Sequence, residues 1–247
     1  MGSIPESFTA DYYNEDYFVT SNGKKFKRAD GTTGAWSYAN PQGEWHGCRP
    51  IVEAWKSIFH PKNALDVGCG RGTFIAYMRD VGIRARGFDF SEWSVNNRYS
   101  RCNKKWIKNC DVTKPWPYPD KSFDLVTVLD LMEHIYSDNI SDVISEMYRV
   151  SKKWIFLEIA TVGKGSGSDI HEKGYILKKE EQVPIELQCY AVAGHVTVST
   201  EEFWIQKLKR DGWIVRRNLV EKFCRIVPKD VLANWILNTM LILEKVE

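Results

Sequence analysis

The stretch Ala64-Leu65-Asp66-Val67-Gly68-Cys69-Gly70-Arg71-Gly72-Thr73-Phe74 decides the fold. An apolar run carrying an aspartate meets glycines at three alternate positions. Glycines so placed let a backbone turn sharply from strand to helix and approach a ligand that a Cβ would hold off. Dinucleotide sites use a related device, but with the spacing Gly-x-Gly-x-x-Gly. Their turn faces an anionic pyrophosphate at a helix N-terminus, and Asp66, two residues before the first glycine, would repel it. The remaining alternative to a ligand site is a purely structural turn.

Working outward, three further features follow in order. Ile83-Arg84-Ala85-Arg86-Gly87-Phe88-Asp89-Phe90-Ser91 reads as a second strand ending in an acid. Asn109-Cys110-Asp111-Val112 is a short strand ending in another. Leu125 to Leu129 is an apolar, β-branched run, as expected of a strand buried on both faces, and it leads through Asp130-Leu131-Met132 to Glu133-His134. Read alone, Asp89 is an ordinary residue near a helix start. Together, the four features resemble the class I S-adenosylmethionine-dependent methyltransferases, in their methyltransferase-11-like branch. The resemblance covers Asn63 to Ile159 well and the flanks loosely.

The resemblance implies an α/β fold: a seven-stranded doubly wound sheet of order 3-2-1-4-5-7-6, strand 7 antiparallel. It implies S-adenosylmethionine as cofactor, with S-adenosylhomocysteine as product. The cofactor would lie across Gly68, Cys69 and Gly70, with Asp66 helping to hold its ammonium. Asp89 would accept from both ribose hydroxyls, since a carboxylate has two oxygens and no donor. Phe90 would lie on the adenine face, with Ser91 capping the next helix. Asp111 with Val112 would meet the adenine amino group. Leu129, Asp130, Leu131 and His134 would complete the wall.

Composition sets bounds. The chain has 247 residues, 43% of them apolar, enough for one large domain with a real core. No apolar run is long enough to span a bilayer. The start, Met1-Gly2-Ser3-Ile4-Pro5-Glu6, lacks the basic and apolar regions of a signal peptide and has Glu6 where myristoylation wants Ser or Thr. The cysteines at 48, 69, 102, 110, 189 and 224 form no Cys-x-x-Cys pair. They read as reduced thiols of a cytoplasmic protein. A net charge of +2 counts against sequence-independent nucleic-acid binding. Two basic clusters, Lys24-Lys25 with Lys27-Arg28 and Arg98 to Lys108, read as solvated surface.

Residues 1–48 form an N-terminal cap segment, and 49–247 the main domain with a lid insertion at about 160–198. The cap carries the candidates Tyr13, Tyr17 and Trp36. Its aromatics either close on a bound cation, which gains cation–π attraction, or simply pack the segment onto the core. Pro50 is expected at the first position of a helix whose apolar stripe is Ile51, Ala54, Trp55, Ile58 and Phe59. Later elements are a helix at about 138–149, a strand at 154–159, a helix capped by a Ser199–Glu202 box, a strand at about 213–218 and a strand at 239–243. A long insertion inside a domain is usually a lid or disordered, and the Gly163 to Ser168 run reads as mobile.

Methyl transfer is a displacement at an already activated carbon, so alignment and exclusion of water dominate. A general base is needed only for a hydroxyl or protonated amine. His195 is the leading candidate base and His134 the second; each has a loop-anchoring alternative. His171, near Asp169, is a further acceptor-side candidate, and no metal site is expected, since Asp169 and His171 fall short of a full ligand shell. The expected reaction moves a methyl group to O or N of a small molecule or glycan. The alternatives are an RNA or protein methyltransferase, or a non-catalytic subunit that binds S-adenosylmethionine.

Overall fold

The computed structural model describes residues 8–19, 23–28, 30–37, 46–163, 173–184, 187–235 and 239–246. His171, residues 164–168 and the side chain of Trp36 lie outside the described residues. Among those described, no helix is long and apolar enough to cross a membrane.

The described residues open with a 3-10 turn (Ala10–Tyr12), a short helix, α1 (Glu15–Phe18), and an antiparallel hairpin of β1 (Lys24–Lys27) and β2 (Thr33–Trp36). Then come α2 (Cys48–Phe59), β3 (Asn63–Val67), α3 (Thr73–Asp80), β4 (Arg84–Asp89), α4 (Glu92–Asn96), β5 (Ile107–Asn109), β6 (Phe123–Leu129), α5 (Ile140–Val150) and β7 (Ser151–Ile159). A second hairpin pairs β8 (Tyr175–Ile176) with β9 (Thr197–Val198), around α6 (Gln188–Ala191). The chain continues through α7 (Glu201–Lys207), β10 (Trp213–Val215), α8 (Arg217–Ile226), α9 (Lys229–Trp235) and β11 (Thr239–Lys245).

Seven strands form one sheet in the order β5-β4-β3-β6-β7-β11-β10. The first five run parallel, and β11 is antiparallel to both neighbours. This is the expected order, 3-2-1-4-5-7-6. The alternation of side chains along each strand sorts them between two layers. Leu65, Val67, Val126, Val128, Ile155, Leu157, Leu241 and Leu243 face the layer made by α5 and α7, with Met147 and Trp204. Ala64, Leu125, Phe156, Met240 and Ile242 face the layer of α2, α3 and α8, with Trp55, Met78 and Phe223. Both faces are buried, so the strands read as nearly continuous apolar runs.

Four boundaries differ from expectation. Pro50 is the third residue of α2, not the first; the first turn has no intrahelical acceptor for its missing N–H, so it is tolerated there. Thr200, not Ser199, caps α7, accepting from the Phe203 N–H at 3.2 Å, while the Glu202 carboxylate accepts from Gln206. The strand expected at 213–218 stops at Val215, because Arg216 gives its N–H to Ile242 O and the chain turns into α8. Strand β7 starts three residues earlier than expected, at Ser151.

A third apolar cluster joins the N-terminal segment to the insertion. Phe8, Phe26 and Tyr136 pack with Tyr175, Leu177, Val192, Val196 and Val198. The described part of the insertion is therefore packed structure, lying over the carboxyl ends of the parallel strands.

Candidate active site

The turn after β3 is fixed by its own backbone. The N–H groups of Gly68 and Cys69 both donate to Phe88 O, at 3.0 and 3.1 Å, and Gly72 N–H donates to Cys69 O. Gly68, Gly70 and Gly72 all have positive φ, at 68°, 52° and 78°. A Cβ at Gly68 would lie 2.9 Å from Leu131 Cδ1, and one at Gly72 would lie 2.5 Å from Cys102 Sγ. A Cβ at Gly70 would have as nearest neighbour a Phe18 ring carbon at 3.9 Å. The loop thus packs tightly below and leaves room above.

Asp89 ties the loop to β4. Its Oδ2 accepts from the Gly70 N–H at 2.7 Å; its Oδ1 accepts from the Ser91 N–H at 2.8 Å and the Ser94 hydroxyl at 3.1 Å. A carboxylate has about four acceptor positions, and three are occupied. The open one is on Oδ2, which leaves room for one ribose hydroxyl where two were expected. Ser91 caps α4 as expected, accepting from the Ser94 N–H at 2.9 Å, and its hydroxyl donates to Tyr13 O.

Asp66 is 2% exposed and sits opposite Thr127 across β3 and β6. The Thr127 hydroxyl donates to it at 2.7 Å. Burial pushes its carboxyl up to about 7, against that one hydrogen bond. Burial also raises Asp89, opposed by its three donors. Among the described residues neither carboxyl has a cationic partner. Burying such a group without a counter-charge is costly, so the pair suits a ligand bringing positive charge. Asp111 Oδ1 closes a turn on Thr113, accepting from its N–H and hydroxyl at 2.9 and 2.8 Å, and Val112 is buried beside it.

Gly68, Cys69, Gly70, Asp89, Phe90, Asp111, Leu129, Asp130, Leu131 and His134 are each half-buried, above the buried stretches of β3 and β6. This band runs across the carboxyl ends of β3, β4, β5 and β6, where ligands bind in open α/β sheets. Asp130 has φ +45° and gives its N–H to Glu158 O. Glu133 is fully buried, and its Oε1 accepts from the Ala160 N–H at 2.9 Å. Burial, followed by the Asp130 charge, raises its carboxyl well above the usual range.

His134 and His195, 61 positions apart by their numbers, meet edge to face with ring centres 4.9 Å apart. Tyr13 Oη lies 3.4 Å from His134 Nδ1, and its ring stands edge to face with Phe90 at 6.4 Å. Burial lowers His134 to about 4, so it is neutral near pH 7. Tyr17, an acceptor-side candidate, is buried and gives its hydroxyl to Ala193 O at 2.8 Å. Tyr12 does the same to Val192 O at 2.6 Å. Sequence reasoning missed Tyr12, Thr127, Ser94 and Gly194. Thr127 was findable as the alternate, polar position in an otherwise apolar strand.

Residues 65–154 match the family described as a methyltransferase domain. Norajmaline N-methyltransferase of Rauvolfia serpentina is 28% identical over 156 residues, which are 60% of this chain and 52% of that protein. A probable S-adenosylmethionine-dependent methyltransferase of Mycolicibacterium smegmatis is 29% identical over 89 residues, 36% of this chain and 34% of that protein. The match thus spans about half and a third of these relatives. Among solved structures, the plantazolicin methyltransferase BpumL in complex with S-adenosylhomocysteine superposes with a TM-score of 0.54 at 16% identity, covering 85% of this chain and 86% of that one. An S-adenosylmethionine-dependent methyltransferase from Mesorhizobium loti gives 0.54 at 13% identity, covering 79% and 96%. Residues 65–154 thus resemble a methyltransferase domain, and the seven-stranded sheet shares the fold of these S-adenosylmethionine-dependent methyltransferases.

Proposed function

We propose that this protein transfers the methyl group of S-adenosylmethionine to an oxygen or nitrogen of a small-molecule or glycan acceptor. One observation carries the reading. A buried carboxyl, Asp66, and a half-buried one, Asp89, neither with a cationic partner among the described residues, lie under an open glycine turn, beside two imidazoles and a phenol. The relative named for N-methylation of norajmaline supports a small acceptor and nitrogen chemistry.

When bound, S-adenosylmethionine supplies a methyl group activated by its sulfonium. Gly68, Cys69 and Gly70 would hold its amino-acid end, with the Asp66 carboxyl at the end of the strand below. Asp89 takes a ribose hydroxyl on its open Oδ2 position. Phe90 offers a face to the adenine, with Asp111 and Val112 at its edge. Leu129, Asp130 and Leu131 line the way from cofactor to acceptor. His134 and His195 are the proton acceptors on that side, with Tyr13 between them and Phe90. Residues 1–48 act as the cap, and the segment after β7 closes the acceptor side. The basic clusters are partly engaged at home: Lys24 over Tyr12, Arg28 over Phe26, Arg101 with Asp80, Lys108 over Tyr118. That favours a small acceptor over a polyanion. The scattered cysteines support a cytoplasmic location.

Calorimetric titration with S-adenosylmethionine and with S-adenosylhomocysteine tests the reading. Binding of both is expected. The next step is incubation with methyl-tritiated cofactor and a panel of amines, phenols and oligosaccharides. Absence of binding to either ligand would overturn the proposal.

A further inference from the structure

A cleft at the opposite end of the sheet from the glycine turn takes no part in the chemistry proposed above. It holds about 300 Å³ and lies between the amino end of β6, the last turn of α5, the start of β10 and the end of β11. Strand β6 has seven residues, so on the order of 20 Å separates the two ends of the sheet. Three cations line the cleft: Lys121, Arg210 and Lys245. Two aromatic rings line it as well, the buried Tyr148 and the half-buried Trp213, with centres 4.7 Å apart.

The other charges at this end of the sheet are already matched. Arg149 uses all five of its donors: two on Glu146, and one each on Asp120, Tyr118 O and Trp116 O. Lys152 pairs with Asp124, and Lys153 and Arg216 pair with Glu244. Among the described residues, Lys121, Arg210 and Lys245 enter no ion pair, and neither does Asp211, the remaining carboxylate on the cleft. Three uncommitted cations thus meet one uncommitted acid on a single concave surface, and the excess favours an anion.

The backbone holds these groups in place. Lys121 has φ +47° and gives its N–H to Arg149 O at 2.7 Å. The Trp213 N–H donates to Arg210 O at 3.1 Å, closing a turn around Asp211, and Trp213 faces Lys245 across the β10–β11 pair. The Arg210 guanidinium lies 5.1 Å from the Tyr148 ring centre, and the Tyr148 hydroxyl is tied to Leu208 O.

We propose that this cleft is a second binding site, for a nucleoside monophosphate: Lys121, Arg210 and Lys245 take the phosphate, Trp213 stacks on the base, and Asp211 accepts from the ribose hydroxyls. Phosphate oxygens accept charge-assisted hydrogen bonds, and lysine and arginine only donate. A nucleobase offers the flat face that an indole matches. Asp211 repels the phosphate, so its place is at the hydroxyl-bearing part of the ligand. The volume is that of a small ligand pocket. No residue of the cleft belongs to the glycine turn, so the site stands independently of the methyltransferase reading.

Calorimetric titration of the full chain with adenosine monophosphate, inorganic phosphate and adenosine tests the assignment. Adenosine monophosphate should bind, phosphate should bind more weakly, and both should weaken as salt is raised. Arg210→Gln and Lys245→Gln, both at the surface, should each lower the affinity for adenosine monophosphate about tenfold, as loss of a hydrogen bond to a charged group does. Trp213→Leu should weaken adenosine monophosphate and leave phosphate unchanged. Saturating S-adenosylhomocysteine should not displace adenosine monophosphate. Displacement would put the nucleotide in the glycine turn and overturn the proposal. Absence of binding, or binding that neither Arg210→Gln nor Lys245→Gln weakens, would overturn it too. Equal affinity for phosphate and adenosine monophosphate would reduce the cleft to a plain anion site and overturn the nucleotide assignment. Failure of S-adenosylhomocysteine alone to bind would sink only the methyltransferase reading.

Discussion

The two walls of the cleft are held by different kinds of bond. On the side we propose for the cofactor, Gly68, Cys69 and Gly70 are tied to Phe88 O and to the Asp89 carboxyl, within a single β3-turn-α3-β4 unit. On the side we propose for the acceptor, Tyr12 and Tyr17 reach 180 and 176 residues along the chain to Val192 and Ala193, and Tyr13 reaches 121 to His134. The first wall is local, backbone-made and stiff. The second exists only once distant segments have docked, through these single hydrogen bonds and the apolar cluster of Phe8, Phe26 and Tyr136 with Tyr175, Leu177, Val192, Val196 and Val198. Local opening follows the weaker set, so the acceptor wall should yield first while the cofactor wall stands.

The largest expected effect comes from breaking the stiff wall. Gly68→Val places a β-branched residue at φ +68°, with its Cβ against Leu131. We expect no measurable binding of S-adenosylhomocysteine by calorimetry and about 2–4 kcal/mol less stability in urea. Normal binding by this variant would dissolve the contrast between the walls. The next effect is one of pH. Asp66 has its carboxyl raised to about 7 in the fold. A raised acid contributes stability that is fully present below its unfolded value, near 4, and is lost as pH rises to about 7. Asp66→Asn lacks that loss, so relative to wild type it should gain stability between pH 4 and 7 in urea titrations at each pH. A constant difference would show that Asp66 does not titrate there.

Tyr12→Phe and Tyr17→Phe sharpen the comparison from the other side. Each leaves a carbonyl without its donor, at a cost of about 1 kcal/mol. Hydrogen exchange should quicken at 191–198 and stay unchanged in β3 and β4. Equal acceleration on both walls would mean that they open as one. The smallest effect is at the rim of the acceptor wall. Thr200→Ala should cost about 1 kcal/mol in the urea midpoint through the lost cap on α7, while Ser199→Ala should cost less; the reverse order would restore the capping box expected from the sequence.

The same contrast explains what could be read from the residues alone. Strands β3 to β7, the glycine turn and the acids Asp66, Asp89 and Asp111 follow from local patterns: apolar runs, glycines at alternate positions, an acid at a strand end; their order with β11 is what the family resemblance implied. Segment α8 was missed because Phe223 is its one fully buried described residue, which leaves too narrow an apolar stripe to announce a helix. Ser199 and Thr200 are equally able caps, and only the extended backbone at Thr200 chooses between them. The meeting of Tyr13, His134 and Gly194 depends on three segments that share no local signal. Gly194 stands next to His195 in the chain, yet a Cβ on it would lie 3.0 Å from Nδ1 of a different histidine, His134.

Strand β11 has a consequence for how the chain is made. Residues 239–245 fill the place between β7 and β10, and among the described residues β10 has no other neighbour in the sheet. Until residue 245 has cleared the ribosome, β7 carries Ile155, Leu157 and Ile159 along an open edge, beside a finished four-stranded parallel core. Such an edge is a ready template for another chain. Pairing of β11 with β7 is what closes that edge.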